Sequence, residues 1–308
     1  MHTNTNLQIR VTDTSAYSLH TAVELFCEDA QARGLRASTV RYYRDALTRF
    51  ANTVGLPLEQ IDHFTIRRYL LHRQQQVSSL HTVHGDFRAL RAFFTWCVRN
   101  ELLNTNPMLK VQAPRCEVVT KPPLTTDEIQ RILAACSGSD WLQRRDYALV
   151  LVLLDTGLRV SEVQQMTVAN GTAETFTVLG KNRRSRLVCL SAQTRLAVRK
   201  YVQACPFAMK PESALWRGVS GEPLTVHGLQ EAIQRVGKRA GLQHHLGCHV
   251  FRRTFAVFSL RSGMSLEHLR ELLGHRDFQM LKHYVQLVET DLKTAHQQHS
   301  PLNLLKKR

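Results

Sequence analysis

The second half of the sequence contains two arginines, two histidines and a tyrosine in short segments with a characteristic spacing. Arg159 lies in the segment Thr-Gly-Leu-Arg-Val-Ser-Glu, and His249 and Arg252 begin and end the segment His-Val-Phe-Arg. His275 follows a Leu-Gly pair, and Tyr284 comes shortly after it. Because positions i and i+3 share one face of a helix, His249 and Arg252 present an imidazole and a guanidinium side by side. The fold has to bring these side chains to one place if they act together.

This set of side chains is suited to attack on a phosphodiester. A tyrosine is a weak nucleophile at neutral pH, since its pKa is about 10, and it needs cations nearby to stabilise its oxyanion. Two arginines can bind the non-bridging oxygens of a phosphate bidentately and remain charged throughout. Preorganised cations of this kind are usually the largest catalytic contribution. A lysine or histidine can protonate the leaving 5′ oxygen, and the product is a covalent phosphotyrosine that conserves the energy of the broken bond.

Each of these residues also has an ordinary structural explanation. Arg159 can pair with Glu162 at the start of a helix, and His249 can be a hydrogen-bonded core histidine. His275 can cap a helix, and Tyr284 can pack at a domain surface. Taken singly, each residue favours the structural explanation; their joint order and spacing favour the chemical one.

Charge points to an anionic polymer as the partner. The 308 residues carry a formal net charge of +16, and the sequence pI is about 10.0. Lysine and arginine are in excess in both halves of the sequence, so both halves can face the same polyanion. Double-stranded DNA is the expected partner, ahead of a membrane surface. The alternative is a basic protein whose charged faces are simply solvated.

Other residue patterns narrow the class of protein. The seven cysteines form no Cys-x-x-Cys pair, which is typical of free thiols in a reducing compartment. No apolar run is long enough to span a membrane, and the N-terminus lacks a signal-peptide core, so we expect a cytoplasmic protein. His244, His245 and His249 lie close in sequence without a carboxylate or cysteine companion, so we expect no metal and no other cofactor. Phosphate-binding loops and the Gly-x-Ser-x-Gly hydrolase motif are also absent.

The N-terminal part of the sequence predicts a small all-α domain. The first helix is expected to begin at a cap at Ser18 and to end at Gly34, and the second to begin at a cap at Ser38 and to end at Gly55. A third helix is expected over 61–74, and a fourth begins at Ser78 or Ser79. Arg41 and Arg44 lie off the apolar stripe of the second helix, and we expect them to contact DNA. Prolines are frequent in residues 105–122, which predicts an extended linker.

The second half predicts a mixed domain. Thr125 and Glu128 fit a capping box, and residues 147–154 predict a central buried helix that ends at Gly157. The hydrophobic period then changes to two, which indicates strands over 175–179 and 186–190 around a basic turn. Four later helices are expected, over residues 194–202, 226–240, 249–262 and 265–273.

These motifs resemble the tyrosine recombinases of phage-integrase and chromosome-dimer-resolution type. Members have a T-G-[LM]-R-x-S-E segment, a lysine in a basic hairpin, an H-x-x-R box, an L-G-H turn and a tyrosine soon after. The resemblance implies a mainly α fold with a small antiparallel β-sheet in the C-terminal domain. It also implies a two-domain DNA clamp: a flexible N-terminus (1–16), a SAM-like four-helix core-binding domain (17–104), the linker (105–122), a catalytic domain (123–295) and a C-terminal tail (296–308).

The resemblance also implies roles for individual residues. Tyr284 matches the nucleophile that forms a 3′-phosphotyrosine, and Arg159 and Arg252 match the phosphate clamp. Lys181 matches the general acid, and His249 matches a second acid–base group. His275 matches a hydrogen-bond donor to the phosphate, and Glu162 matches a supporting carboxylate. Further DNA contacts are expected from Arg183, Arg184, Arg186 and Arg253.

Two departures from the family pattern affect the assignments. Asn182 stands where glycine is usual in the hairpin, and Arg183 and Arg184 offer rival cations, so either Lys181 or a neighbouring arginine protonates the leaving group. Arg253 stands where a histidine often follows the box, with no expected loss of chemistry. Members of the family act as tetramers on paired sites, and Leu302, Leu304 and Leu305 can dock the tail on a neighbour.

Three functions remain open at this point. The first is a site-specific recombinase for integration, excision or resolution of DNA, such as that of a mobile element. The second is a non-catalytic DNA-binding protein on the same fold. The third is an activity like that of type IB topoisomerases, which use nearly the same chemistry as monomers.

Overall fold

The fold is mainly helical and consists of two units. The computed structural model describes residues 18–116, 122–179 and 185–274, together with residues 296, 300 and 302. The two compact units comprise residues 1–119 and 120–308. Within the described residues, the only sheet is a two-stranded antiparallel one in the second unit. This architecture confirms the predicted fold class, while the expected flexible segment 1–16 lies outside the described residues.

The first unit contains four helices with apolar inner faces. They are α1 Leu19–Ala32, α2 Ala37–Val54, α3 His63–Gln76 and α4 Leu80–Arg99, with short 3-10 helices at Leu58–Gln60 and Pro107–Lys110. Ser18 and Ser79 cap α1 and α4 as predicted, because their side chains accept hydrogen bonds from backbone N–H groups of the first turn. The predicted cap at Ser38 is wrong: α2 begins at Ala37, with Arg36 in the cap position.

Aromatic rings fill the core of the first unit. The ring centroid of Phe26 lies 5.8 Å from that of Phe93 and 5.6 Å from that of Trp96, in edge-to-face geometry. Phe50 and Phe94 continue the cluster at 6.1 Å. Such rings bury large apolar areas and prefer edge-to-face contact, so they fix the helices in one arrangement.

The second unit combines eight helices, among the described residues, with the hairpin. Its elements are α5 Thr126–Ala135, α6 Trp141–Thr156, α7 Val160–Gln164, α8 Val168–Thr172, β1 Thr175–Leu179, β2 Ser185–Cys189, α9 Ala192–Ala204, α10 Val226–Arg239, α11 Cys248–Arg261 and α12 Leu266–Leu273. Strand β2 begins one residue earlier than predicted. The sequence does not predict α7 and α8, because a helix of five residues is too short to show periodicity.

Helix α6 is the centre of the second unit. Its residues 148–153 are all buried, and α9 and α11 pack against it. The predicted capping box is confirmed at the start of α5: the Glu128 N–H donates to Thr125 Oγ1, and the Thr125 N–H donates to Glu128 Oε2. The rings of Tyr201 and Trp216 stack on each other within this core, and both are buried. No helix in the described ranges is long and apolar enough to cross a bilayer.

Candidate active site

The segment that carries Arg159 begins at a glycine in close contact with two other elements. Gly157 ends α6 in the left-handed conformation, with φ at 58°. A Cβ atom at this position would lie 2.6 Å from a ring carbon of Phe255 on α11 and 3.0 Å from a methyl group of Leu273 on α12. Both the backbone angle and the contact distances therefore require glycine. The close approach places the Arg159 segment beside α11 and the end of α12.

Arg252 joins the same three segments from inside the protein. Its side chain projects from α11, and only 4% of the residue is exposed. Nη1 donates to the carbonyl oxygen of Gly157 at 2.8 Å, and Nη2 donates to the carbonyl oxygen of Leu273 at 2.6 Å. Hydrogen bonds from a charged donor are roughly twice as strong as neutral ones. Arg252 therefore connects the residues before Arg159 with the turn that leads to His275.

His249 lies one turn before Arg252, among positive charges. Packed protein around the ring disfavours the imidazolium form, and the charges of Arg252, Arg159 and Arg253 disfavour it further. The pKa of His249 is consequently lowered from 6.5. His249 and Arg159 line one cavity of about 240 Å³, together with Gln230, Gln234 and the backbone around Gly247. The lowered pKa favours the neutral imidazole, while the acid–base role of His249 stays a prediction.

Glu162 binds Arg159 through both backbone and side chain. The Arg159 N–H donates to Oε2 at 2.8 Å, and Arg159 Nη1 donates to Oε1 at 3.1 Å. Burial alone would raise the pKa of this carboxyl group, but hydrogen bonds and positive charge from Arg186 and Arg159 lower it to about 2. Glu162 is therefore a carboxylate at working pH, and it orients the Arg159 guanidinium.

Arg186 is buried against Glu162 and does not have the exposed position that was expected of a DNA contact. Only 9% of its side chain is exposed, and its guanidinium donates to both oxygens of Glu162 and to the carbonyl oxygen of Leu272. In the sheet Arg186 pairs with the buried Val178, and it shares the inner face of β2 with Val188. The inward direction of Arg186 could have been predicted from the alternation of side chains along β2, because a residue two positions before an inward valine also points inward.

The other predicted site residues fall into two groups. Lys181, Arg183, Arg184, His275 and Tyr284 lie outside the described residues. Arg41, Arg44 and Arg253 are described. Arg41 is exposed on α2, Arg44 forms a bidentate pair with Glu24, and Arg253 Nη1 donates to the carbonyl oxygen of Pro122 at 3.0 Å. Within the described part of the chain, no group of three His, Cys, Asp or Glu residues is placed to bind a metal ion.

Comparisons with known proteins agree with this arrangement. The phage integrase family model matches residues 122–290, and the model of the phage integrase N-terminal SAM-like domain matches residues 23–103. The tyrosine recombinase XerD of Shewanella oneidensis is 25% identical over 297 residues, which is 92% of this chain and 98% of that protein. The tyrosine recombinase XerC of Bacillus subtilis is 26% identical over 291 residues, 91% of this chain and 96% of that protein.

Solved structures share the fold. A lambda integrase dimer bound to a COC′ core site has a TM-score of 0.73 and 19% identity, covering 90% of this chain and 80% of that one. The XerH site-specific recombinase bound to palindromic difH substrate has a TM-score of 0.67 and 20% identity, covering 92% and 85%.

The class of protein follows from these matches and from the two-unit fold: a tyrosine site-specific recombinase, an enzyme of DNA recombination. More particularly, because the family model covers more than half of the sequence, the chain belongs to the phage integrase family.

Proposed function

We propose that this recombinase cleaves and rejoins double-stranded DNA through a 3′-phosphotyrosine formed by Tyr284. The supporting observation is the pair of bonds from Arg252 to Gly157 and Leu273, which joins the segments that carry Arg159, His249 and the turn before His275. Those segments come from different parts of the sequence, and among the described residues Arg159 and His249 line one cavity, with Arg252 close to His249.

In the proposed reaction, the Tyr284 oxygen attacks the scissile phosphorus and loses its proton to a neighbouring base. A bond forms between that oxygen and phosphorus while the bond from phosphorus to the 5′ oxygen breaks. The 5′ oxygen takes a proton and leaves as a hydroxyl group, so no water or nucleotide is consumed. The reverse attack by a 5′ hydroxyl group reseals the strand.

The proposed roles of the other residues follow from their charge. Arg159 and Arg252 bind the non-bridging oxygens and stabilise the charge that develops there. Lys181 protonates the 5′ oxygen, and His249, whose pKa is lowered, exchanges the proton of Tyr284. His275 donates a hydrogen bond to the phosphate, and Glu162 holds Arg159. The scheme uses no metal ion or other cofactor.

The proposed domain arrangement is a core-binding domain at 17–104, a linker at 105–122 and a catalytic domain at 123–295. It is supported by the positions of the two family matches and by the division of the chain at residue 119. The predicted linker is not extended throughout, because Met108 in the 3-10 helix Pro107–Lys110 and the following Val111 are buried in the core of the first unit. The tail at 296–308, in which Leu302 is 65% exposed, is proposed to dock on a neighbouring protomer of a tetramer that joins paired sites. A cytoplasmic location and a place on a mobile element complete the proposal.

The test is a covalent trapping experiment. Binding sites are first selected from random duplex DNA with the full-length protein, and a nick is then placed near the scissile position so that the cleaved end diffuses away. We expect a protein–DNA adduct that survives denaturation and disappears in Tyr284→Phe, which retains DNA binding. An adduct in Tyr284→Phe would refute the nucleophile, and no wild-type adduct on any selected site would favour a non-catalytic binder.

A second assay separates recombination from relaxation. Strand exchange between two plasmid-borne selected sites is expected. Relaxation of supercoiled plasmid that lacks any selected site, without strand exchange, would instead indicate topoisomerase-like activity.

A further inference from the structure

The Glu162 carboxylate lies between two arginines that bind it unequally. Arg186 donates to it twice, from Nη1 to Oε1 at 2.9 Å and from Nη2 to Oε2 at 2.8 Å. The Arg159 side chain donates once, from Nη1 at 3.1 Å. The side chain of Arg186 is 9% exposed and that of Arg159 is 31% exposed. The buried arginine therefore neutralises the carboxylate, and the more exposed one keeps part of its guanidinium facing solvent.

A third bond fixes Arg186 to the end of α12. Its Nε donates to the carbonyl oxygen of Leu272 at 2.9 Å, so all three of its guanidinium nitrogens donate to protein acceptors. The next turn packs directly on this side chain, because a Cβ atom at Gly274 would lie 2.9 Å from Arg186 Cδ. Gly274 also has a positive φ of 64°. Arg186 thus connects strand β2, the Glu162 helix and the turn after α12.

We propose that Arg186 is a positioning residue for the recombination reaction, which keeps Arg159 available to the scissile phosphate. This inference rests on the proposed function. A buried carboxylate left with one cation attracts that cation strongly, because an unpaired buried charge is costly. By occupying both oxygens of Glu162, Arg186 leaves Nε and Nη2 of Arg159 without a bond to any described residue. Those two nitrogens form the fork that binds phosphate oxygens.

The primary variant is Arg186→Gln, assayed for single-turnover cleavage of the nicked duplex that the wild-type protein selects from random DNA. We expect the cleavage rate of the bound complex to fall about a hundredfold, as displaced catalytic groups commonly cause. We also expect the dependence of binding on salt to stay unchanged. A direct phosphate contact would instead lower the slope of log K against log salt by about 1.

A neutral phosphate analogue tests whether the defect passes through Arg159. A methylphosphonate at the scissile position replaces one charged non-bridging oxygen by a methyl group, so it has less need of a cationic clamp. We expect the rate ratio of wild type to Arg186→Gln to shrink at least tenfold on the methylphosphonate duplex, in parallel with the ratio for Arg159→Ala. A purely structural defect would give the same ratio on both duplexes, and that result would overturn the inference.

Two further variants act as controls. Arg145→Gln removes another buried arginine, which donates to the Asp146 carboxylate and to the Arg217 carbonyl oxygen and not to Glu162. It is expected to lower the melting temperature and to keep the wild-type cleavage rate at low temperature. If Arg186→Gln does not fold, Arg186→Lys replaces it, because an ammonium retains the charge but loses the fork, and an intermediate rate is expected.

The failures of the two proposals differ. If wild-type protein forms no adduct, the proposed function is at fault. If wild type forms the adduct but Arg159→Ala is not rescued on the methylphosphonate duplex, Arg159 is not the phosphate clamp, and the inference about Arg186 is wrong while the proposed function stands. If wild type cleaves, Arg159→Ala is rescued, and the folded Arg186 variant either cleaves like wild type or loses DNA affinity with an unchanged cleavage rate, the inference about Arg186 is wrong.

Discussion

Each unit contains a buried carboxylate held by one buried and one more exposed arginine. In the first unit, Asp86 on α4 binds Arg73 at 2.9 Å and Arg49 at 3.0 Å; their side chains are 10% and 41% exposed. In the second unit, Glu162 binds Arg186 at 2.8 Å and Arg159 at 3.1 Å, with 9% and 31% exposed. The distances and the exposed fractions are similar in the two clusters, but Arg186 binds both oxygens of Glu162, whereas Arg73 binds one oxygen of Asp86.

The surroundings of the two clusters differ. The Asp86 cluster joins α2, α3 and α4, and the remaining bond of Arg73 goes to Gln76 on its own helix. The Glu162 cluster lies beside a cavity lined by Arg159 and His249, and further positive charge from Arg252 is near enough to lower the pKa of His249. We therefore expect an arginine–carboxylate cluster to have a structural or a catalytic role according to what faces its exposed arginine, and the variants below test that difference.

The largest expected effect is on the stability of the first unit. Asp86→Ala leaves the buried Arg73 without its carboxylate, and breaking a buried pair in this way costs about 3–5 kcal/mol. Hydrogen exchange of the α2–α4 amides should accelerate accordingly, while the cleavage rate per bound complex stays at the wild-type value. Asp29→Ala is the matched control. Its pair with Arg33 is exposed and worth at most about 1 kcal/mol, so a comparable loss there would contradict the structural role.

Arg159→Ala should have the opposite profile. Removing one preorganised phosphate donor costs about 2.7–4 kcal/mol of barrier, a 10²–10³-fold loss in cleavage rate, with DNA binding largely kept. Exchange of the α2–α4 amides should not change. Arg252→Ala should lose at least as much rate, and also some stability, because two carbonyl oxygens lose their donor. Wild-type cleavage by either variant would refute the phosphate clamp.

Acid should destabilise the second unit through Glu162. Its pKa is about 2 in the folded protein, against a usual 4.5, so the folded state favours the carboxylate. The resulting stability is present above pH 4.5 and is lost as the pH falls towards 2. The shift corresponds to about 3 kcal/mol. Hydrogen exchange of the α6 amides at pH 6 and pH 3 should show a loss of about 2 kcal/mol of this stability, and Glu162→Gln should lack this component. An equal acid response in both proteins would contradict it.

The sequence predicted most of the longer helices, but it did not predict the contacts that connect them. Capping residues such as Ser18 and Thr125 bond to backbone groups within three residues, so a short stretch of sequence is enough to predict them. The bond from Arg252 to Leu273 joins residues distant in sequence, and no local pattern records it. The inward direction of Arg186 was readable from strand alternation, but its charge in a basic hairpin suggested DNA instead.

The smallest expected effect concerns the outer face of α2. Arg41 is exposed and has no bond to any described residue, whereas Arg44 forms a bidentate pair with Glu24. If α2 faces DNA, Arg41→Ala should lower the slope of log K against log salt by about 1, with a similar loss on all sequences. Arg44→Ala should change the slope less, because its charge is already paired.

Neither variant should alter cleavage of the bound complex, since phosphate contacts of this kind position the protein without taking part in chemistry. An unchanged slope for Arg41→Ala would mean that the exposed arginines of α2 do not face DNA, and a slower cleavage step would mean that the first unit does more than bind.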